Sequence, residues 1–369
     1  MKEFLIAKDR AQQHSARYER RMESIIQRDI PSFMELPIIN TEEQMKEKDI
    51  IFLGVPYEGV KIKDPLTFIP PIATPIDEKE LKIYSRSGAY EAPEAVRRNS
   101  IYYSINHCDG FFPEMEKDFI LMNEIKTGDY GDIEINIKQD TQKTMDQITE
   151  VYETIYGNGA IPMTMGGDHL VPFPIIHGLS KVSNDNIGII VFDSHLDMSW
   201  EPKYWAGSQW ARIFELGIVK PKNFVQIGIR GFRQSYQWKY AAEELGYTYF
   251  TMTDVEELGI KEVTRRAVEI ASDGTSGIYT SLDYDVLEPG LAPAQKFPDP
   301  NGLTSREIIT ALKMISKNKV LGFDICCMSP KYDYNGLGSQ LAARCIVEVM
   351  GGIGLRKKHQ RLQAGPVQE

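Results

Sequence analysis

The chain has 369 residues, with 42 Lys and Arg against 52 Asp and Glu and a formal charge of −10. Its 42 % apolar and 25 % charged content is that of a folded globular protein and excludes disorder as the main state. The acidic balance argues against a general nucleic-acid binder, and no apolar run reaches the ~18 residues needed to span a membrane.

The opening stretch, MKEFLIAKDRAQQHSARYERR, lacks the apolar segment and small-residue cleavage site of a secretory signal. The four cysteines, Cys108, Cys326, Cys327 and Cys345, show no CxxC spacing, so neither a disulfide framework nor a zinc ribbon is expected. A cytoplasmic setting follows as the expectation.

Residues 1–48 are rich in Arg, Glu, Gln and Lys and read as a helical N-terminal extension, a solvated arm or an oligomer contact. Asp49-Ile50-Ile51-Phe52-Leu53-Gly54-Val55-Pro56 is an apolar run stopped by Gly and Pro, the pattern of a buried strand. A Pro- and Lys-rich excursion follows to Ser85, then helical text over 92–100 and 141–157. Strand-like runs recur at 160–165, 186–192, 223–229, 277–282 and 319–323, with helical segments at 258–272, 304–317 and 339–351. Continuous apolar strands alternating with helices predict an α/β fold: three layers, α/β/α, around a mostly parallel central sheet. A single α/β domain over 49–355 is expected, with a polar tail over 356–369.

Three of the strand runs end in acid- and His-rich text. These are Gly166-Gly167-Asp168-His169, Asp193-Ser194-His195-Leu196-Asp197 and Asp283-Tyr284-Asp285. Ligands of open parallel sheets bind outside the carboxyl ends of the strands, so neighbouring strands would gather His169, His195, Asp193, Asp197, Asp283 and Asp285 at one edge. In extended backbone, side chains at i, i+2 and i+4 share a face, which would aim Asp193, His195 and Asp197 at one point. Four carboxylates so close repel one another unless cations neutralise them, and about two divalent ions are required. Taken singly, each motif has an ordinary explanation as a turn, a solvated loop or a helix cap. Their joint occurrence on three apolar strands does not.

On these motifs the chain resembles the ureohydrolases, which include arginase and agmatinase and share the arginase/deacetylase fold. Leu53-Gly54-Val55-Pro56-Tyr57, the Gly88–Arg97 segment and Val225-Gln226-Ile227-Gly228-Ile229-Arg230-Gly231 support the likeness, which covers roughly residues 50–355 and is nearest the agmatinase-like branch. The resemblance implies that His169 and Asp197 serve one metal, His195 and Asp285 the other, and that Asp193 and Asp283 bridge both. Manganese is the implied metal, and a thiolate-free, carboxylate-dominated set agrees with it; nickel suits the same donors. A hydroxide shared by two metals would attack a guanidinium carbon and release urea and an amine, with Asp197 as the implied catalytic proton carrier. Homo-oligomers, trimers or hexamers, are implied too, and a hetero-oligomer fits the same extension.

Four departures bear on the substrate. Cys327 stands where the family has a Glu that pairs with the guanidinium, and a neutral thiol cannot form that charged pair. Trp205-Ala206-Gly207 lacks a His expected after the second motif. Ala292-Pro293-Ala294-Gln295-Lys296-Phe297-Pro298 replaces a Gly-Thr-Gly run, and Glu288 replaces an Asp. His14, His107, His177 and His359 are expected to be surface or structural. Trp200, Tyr204, Trp205 and Trp210 crowd the stretch after the second motif, where an apolar wall or a stacking surface for a planar cation is expected. With Cys327, these aromatics point to a small or alkylated guanidine in preference to arginine. The competing readings are a weakly active or inactive subunit supporting a partner chain, and amide deacetylation on the same broad fold.

Overall fold

The computed structural model describes residues 32–59, 86–105, 110–136 and 140–364. Eight strands form one sheet: β1 Ile50–Gly54, β2 Thr127–Asp132, β3 Ile161–Met165, β4 Ile187–Phe192, β5 Val219–Ile229, β6 Thr248–Thr251, β7 Ile278–Asp283 and β8 Val320–Cys326. Their order is β2-β1-β3-β8-β7-β4-β5-β6, and every pairing is parallel. The expected strands are present. The edge strands β2 and β6 were not legible, because Thr127-Gly128-Asp129-Tyr130-Gly131-Asp132 carries little apolar material and Thr248–Thr251 is very short.

Alternation within the apolar runs builds two cores. Ile50 and Phe52 of β1, Ile190 and Phe192 of β4, and Val225 and Ile227 of β5 face one side. Ile51 and Leu53, Ile189 and Val191, and Phe224 face the other. The first core is closed by α1 Ala92–Asn99, α7 Ile260–Ser272, α8 Ser305–Ile315 and α9 Leu337–Ala364, the second by α2 Thr141–Gly157, α3 Pro172–Val182 and α4 Gln209–Glu215. Helix α5 Tyr236–Leu245 and helix α6 Met252–Leu258 flank β6. The helix starts are written in the sequence: Asp140 caps α2 through the Lys143 amide, and Thr251 with Asp254 and Thr304 with Glu307 form reciprocal capping boxes on α6 and α8.

Two expectations about the ends change. Helix α9 does not stop near residue 351 but runs to Ala364, because no Gly or Pro interrupts Leu355–Ala364. In the N-terminal segment, residues 1–31 lie outside the described residues, yet 33–39 are not a solvated arm. Phe33 and Leu36 are buried, and Phe33 stacks on Phe52 at 4.2 Å between ring centroids. Most of the Pro- and Lys-rich excursion, 60–85, also lies outside the described residues, as do His14, His107 and Cys108.

Register levels the strand ends. Met165, Ile325, Leu282, Phe192 and Ile227 lie in one row across β3, β8, β7, β4 and β5. The residues that follow therefore leave the sheet at one height, on strands about 4.8 Å apart. Helix α7 lies so close to β4 that a Cβ on Gly188 would sit 1.8 Å from the carbonyl oxygen of Ala271. Gly188→Ala is thus expected to lower the urea midpoint by the equivalent of about 3 kcal/mol or more, as overpacking against backbone does. Gly157→Ala, whose added Cβ meets only Val182 at 3.9 Å, is expected to leave it unchanged or raised.

Candidate metal centre

The carboxyl edge of β3, β7 and β4 carries the three acid- and His-rich segments, with β8 inserted between β3 and β7. After β3, the chain passes under Tyr57 so tightly that a Cβ on Gly167 would lie 1.7 Å from the Tyr57 carbonyl oxygen. Asp168 is not aimed at the centre: its Oδ2 accepts the Gly59 amide at 2.8 Å and its Oδ1 the Leu170 amide at 3.0 Å. This double cap fixes the direction of His169.

The six expected donors do converge, by a different device from pleat alternation. Strand β4 ends at Phe192, so Asp193–Asp197 is not extended. Asp193 Oδ1 instead accepts the His195 amide at 2.6 Å, and Asp197 adopts a left-handed φ of 45°. Asp283 likewise accepts the Asp285 amide at 2.9 Å, opening a 3₁₀ turn over Tyr284–Val286. Both motifs are Asx turns, which bring residues two apart onto one side by closing the backbone.

His169 Nδ1 lies 3.0 Å from Asp193 Oδ2, 3.1 Å from Asp197 Oδ2 and 3.1 Å from Asp283 Oδ2. His195 Nδ1 lies 3.1 Å from Asp285 Oδ2 and 3.5 Å from Asp193 Oδ1. Two donor sets able to hold a divalent cation result, His169 with Asp193 and Asp283, and His195 with Asp193 and Asp285, sharing Asp193. All six side chains are buried. One imidazole nitrogen can offer at most one proton to three carboxylate oxygens. Asp193 Oδ2 and Asp285 Oδ2 accordingly accept no well-aligned hydrogen bond despite their burial. Lone pairs without protons to receive fit a cation at each set.

Burial pushes the Asp283 carboxyl up, to about 7, and Asp285 and Asp193 push the same way. Burial lifts Asp197, with Asp193 adding to it. Burial opposes charge on the imidazoles, yet the carboxylates, Asp283 foremost at His169 and Asp285 at His195, hold both well above the usual histidine range.

Several supporting residues were not read from the sequence. His169 Nε2 lies 3.2 Å from Ser281 Oγ, which donates to Asp324 Oδ1 at 2.9 Å; Tyr279 donates to Asp324 Oδ2 at 2.5 Å. The signal was present as Tyr279 and Ser281 on one face of β7, beside a buried Asp on β8. Gln209 Nε2 donates to Asp197 Oδ2 at 2.9 Å. Arg230 gathers carbonyl oxygens from Asp285, Val286 and Asp299 at 2.7, 3.2 and 2.6 Å, tying the third turn to the loop beyond it. Phe297 sets its ring edge-on to His195, 6.1 Å between centroids.

The expected aromatic wall is dispersed. Trp210 is 0 % exposed and packs edge-on to His169 at 5.4 Å and against Phe224 at 5.3 Å, so it backs the centre as core and cannot meet a substrate. Trp205 is half-buried over Gly207, and Trp200 is 44 % exposed. Tyr204 packs on Phe173. Cys327 is buried, has a left-handed φ of 60°, and its thiol is pushed up by burial and then by Asp283. Glu288 accepts the Gly302 amide at 2.9 Å, a structural contact.

The Arginase family model matches residues 72–352. The chain is 27 % identical over 326 residues to guanidinopropionase of Pseudomonas aeruginosa, covering 87 % of this chain and 91 % of that one. It is also 27 % identical over 326 residues to the mitochondrial guanidino acid hydrolase of Homo sapiens, covering 86 % and 81 %. Among solved structures, proclavaminate amidino hydrolase from Streptomyces clavuligerus superposes with a TM-score of 0.72 at 25 % identity, over 89 % of this chain and 98 % of that one.

Arg230→Met should leave buried carbonyls unpaired and cost roughly 3 kcal/mol in urea unfolding, and Arg230→Lys, lacking the planar fork, should recover less than half of it. With its fold, its converging donors and these matches, the chain belongs to the arginase family and is a ureohydrolase-type amidinohydrolase.

Proposed function

We propose that the protein hydrolyses a C–N bond of a small or alkylated guanidine, using two divalent cations held by His169, Asp193, His195, Asp197, Asp283 and Asp285. The observation that carries this reading is the crowding of three carboxylate oxygens within 3.1 Å of His169 Nδ1, more acceptors than protons can satisfy. Bound there, manganese or nickel would supply a water acidified from ~15.7 towards neutrality.

The chain's own residues do the rest. Asp197, anchored by Gln209, takes the proton of the attacking water and hands it to the departing nitrogen, so the amine leaves neutral. Ser281 and Asp324 hold the His169 ring through Nε2, which keeps Nδ1 as the donor towards the centre. Cys327 places a neutral thiol where the family's Glu would pair with the guanidinium, so no charged pair forms at that position. That absence of charge supports a compact guanidine over arginine. The agmatinase-like branch is part of the same reading, as are a cytoplasmic setting and homo-oligomers.

Metal-loaded protein is expected to carry two ions per chain by elemental analysis and to release protons on loading, since the donors bind a cation only when deprotonated. Asp283→Asn should reduce the content below one ion and abolish urea release. Guanidine and methylguanidine should exceed agmatine, guanidinobutyrate and arginine in kcat/KM; a preference for arginine refutes the substrate. Wild-type protein that retains less than one ion per chain would favour a non-catalytic supporting subunit. Asp324→Asn should weaken metal binding by about ten- to a hundredfold while the chain stays folded.

A further inference from the structure

We infer that Lys296 is a positioning residue for the first of the two donor sets: its buried ammonium, paired with Glu58, braces the turn from which His169 leaves β3. The inference rests on the two-cation reading above and names a group that the reaction itself does not use.

Lys296 lies in the segment that departs from the family's Gly-Thr-Gly run, and its side chain is 1 % exposed. Glu58, on the chain that leaves β1, lies 3.0 Å from its Nζ and is 8 % exposed. Glu58 is also held through its other oxygen, Oε2 accepting the Gly88 amide at 3.0 Å. Backbone hydrogen bonds bring the remaining pieces to the same place. The Lys296 amide donates to the Cys327 carbonyl at 3.0 Å, and the Cys327 amide donates to the Gly167 carbonyl at 2.7 Å. The Asp168 amide donates to the Tyr57 carbonyl at 2.9 Å, and Asp168 Oδ2 accepts the Gly59 amide at 2.8 Å. Residues 57–59 therefore clasp residues 167–168, and Lys296 reaches the clasp from the loop after β7.

A buried ammonium needs an opposite charge, and two carboxylates share this one. Burial opposes its charge, yet Asp168 first and Glu58 next hold Lys296 above the usual lysine range. Nζ makes no well-aligned hydrogen bond, so it acts as a point charge and not as a directional donor. Without it, Glu58 and Asp168 are two like charges in one buried clasp. Their repulsion falls on the Gly59 and Leu170 amides that Asp168 accepts, and so on the direction of His169. The His195 set is braced by other groups. Gln234 Nε2 donates to the Ser194 carbonyl at 2.7 Å, Ser194 Oγ to Asp285 Oδ1 at 2.6 Å, and Arg230 to the Asp285 carbonyl at 2.7 Å. Loss of the ammonium therefore loosens the cation at His169, Asp193 and Asp283 and spares the one at His195, Asp193 and Asp285.

The test is a charge cycle on the full chain titrated with manganese, read by elemental analysis, metal affinity and the electron paramagnetic resonance of Mn2+. Wild-type protein is expected to hold two ions per chain with the broadened spectrum of a close pair. Glu58→Gln, which leaves Lys296 with Asp168, should do the same. Lys296→Met should bind one ion within about twofold of wild type and the other about ten- to a hundredfold more weakly, the scale of losing a group that orients a ligand. At manganese concentrations that fill the wild type, it should show the resolved hyperfine lines of an isolated Mn2+. Adding Glu58→Gln to Lys296→Met should restore the second ion and the broadened spectrum, because the unpaired anion is gone; lost packing of the lysine stem would not be repaired in this way. Two ions at wild-type affinity in Lys296→Met overturn the inference. A double variant that binds no better than Lys296→Met, or that does not fold, overturns the role of charge. Should Lys296→Met alone fail to fold, a double variant that folds and holds two ions upholds it. Fewer than two ions in the wild type would instead overturn the two-cation reading itself.

Discussion

Four buried carboxylates and two buried imidazoles share one small volume, and that electrostatic constraint governs the carboxyl edge of this sheet. Like charges at 3–4 Å in a buried setting repel by several kcal/mol even at a generous effective dielectric. Two of the oxygens, Asp193 Oδ2 and Asp285 Oδ2, are left without a well-aligned hydrogen bond, an arrangement a cation could complete. Level strand ends make the crowding possible, since Asp193 and Asp283 emerge from adjacent strands at the same height. The Asx turns then fold the following residue pair back over it.

Backbone conformation carries part of the cost. Asp197 and Cys327 both have positive φ without being glycine, and both sit on the rim of the centre. Each such residue stores of order 1–3 kcal/mol that the surroundings must sustain. Those surroundings are rigid: Gln209 holds Asp197, and the Cys327 amide donates to the Gly167 carbonyl at 2.7 Å. The second of these bonds joins β8 to the segment that positions His169, so the thiol and the first imidazole are set by one piece of backbone.

The amino-acid text disclosed the fold through its continuous apolar strands and disclosed the donors through three polar tips at their ends. It misled on how the donors converge, because a strand pattern was extrapolated past Phe192 as far as Asp197, where side-chain to backbone hydrogen bonds take over. It misled on Trp210, since an aromatic near a motif reads the same whether it faces ligand or core. Phe297 was hidden for the opposite reason: it lies fourteen residues beyond Asp283 in sequence and reaches His195 only through tertiary packing. The Tyr279–Ser281–Asp324 relay required knowing that β7 and β8 are neighbours, which no periodicity reveals.

The stretch between Glu288 and Gly302 is closed at its neck. Leu287 and Leu303 pair as a bridge, the Glu288 amide donates to the Leu303 carbonyl, and Glu288 Oε2 takes the Gly302 amide. Below the neck lie Asp285 and the cap of the next helix; above it lie Lys296 and Phe297. Such a purse-string separates the segment that carries Asp285 from the loop that carries Lys296 and Phe297. A change in the length of residues 289–301 would therefore fall on the far side of the neck from Asp285, where the bridge and the Glu288 clasp keep it from pulling on the turn beneath.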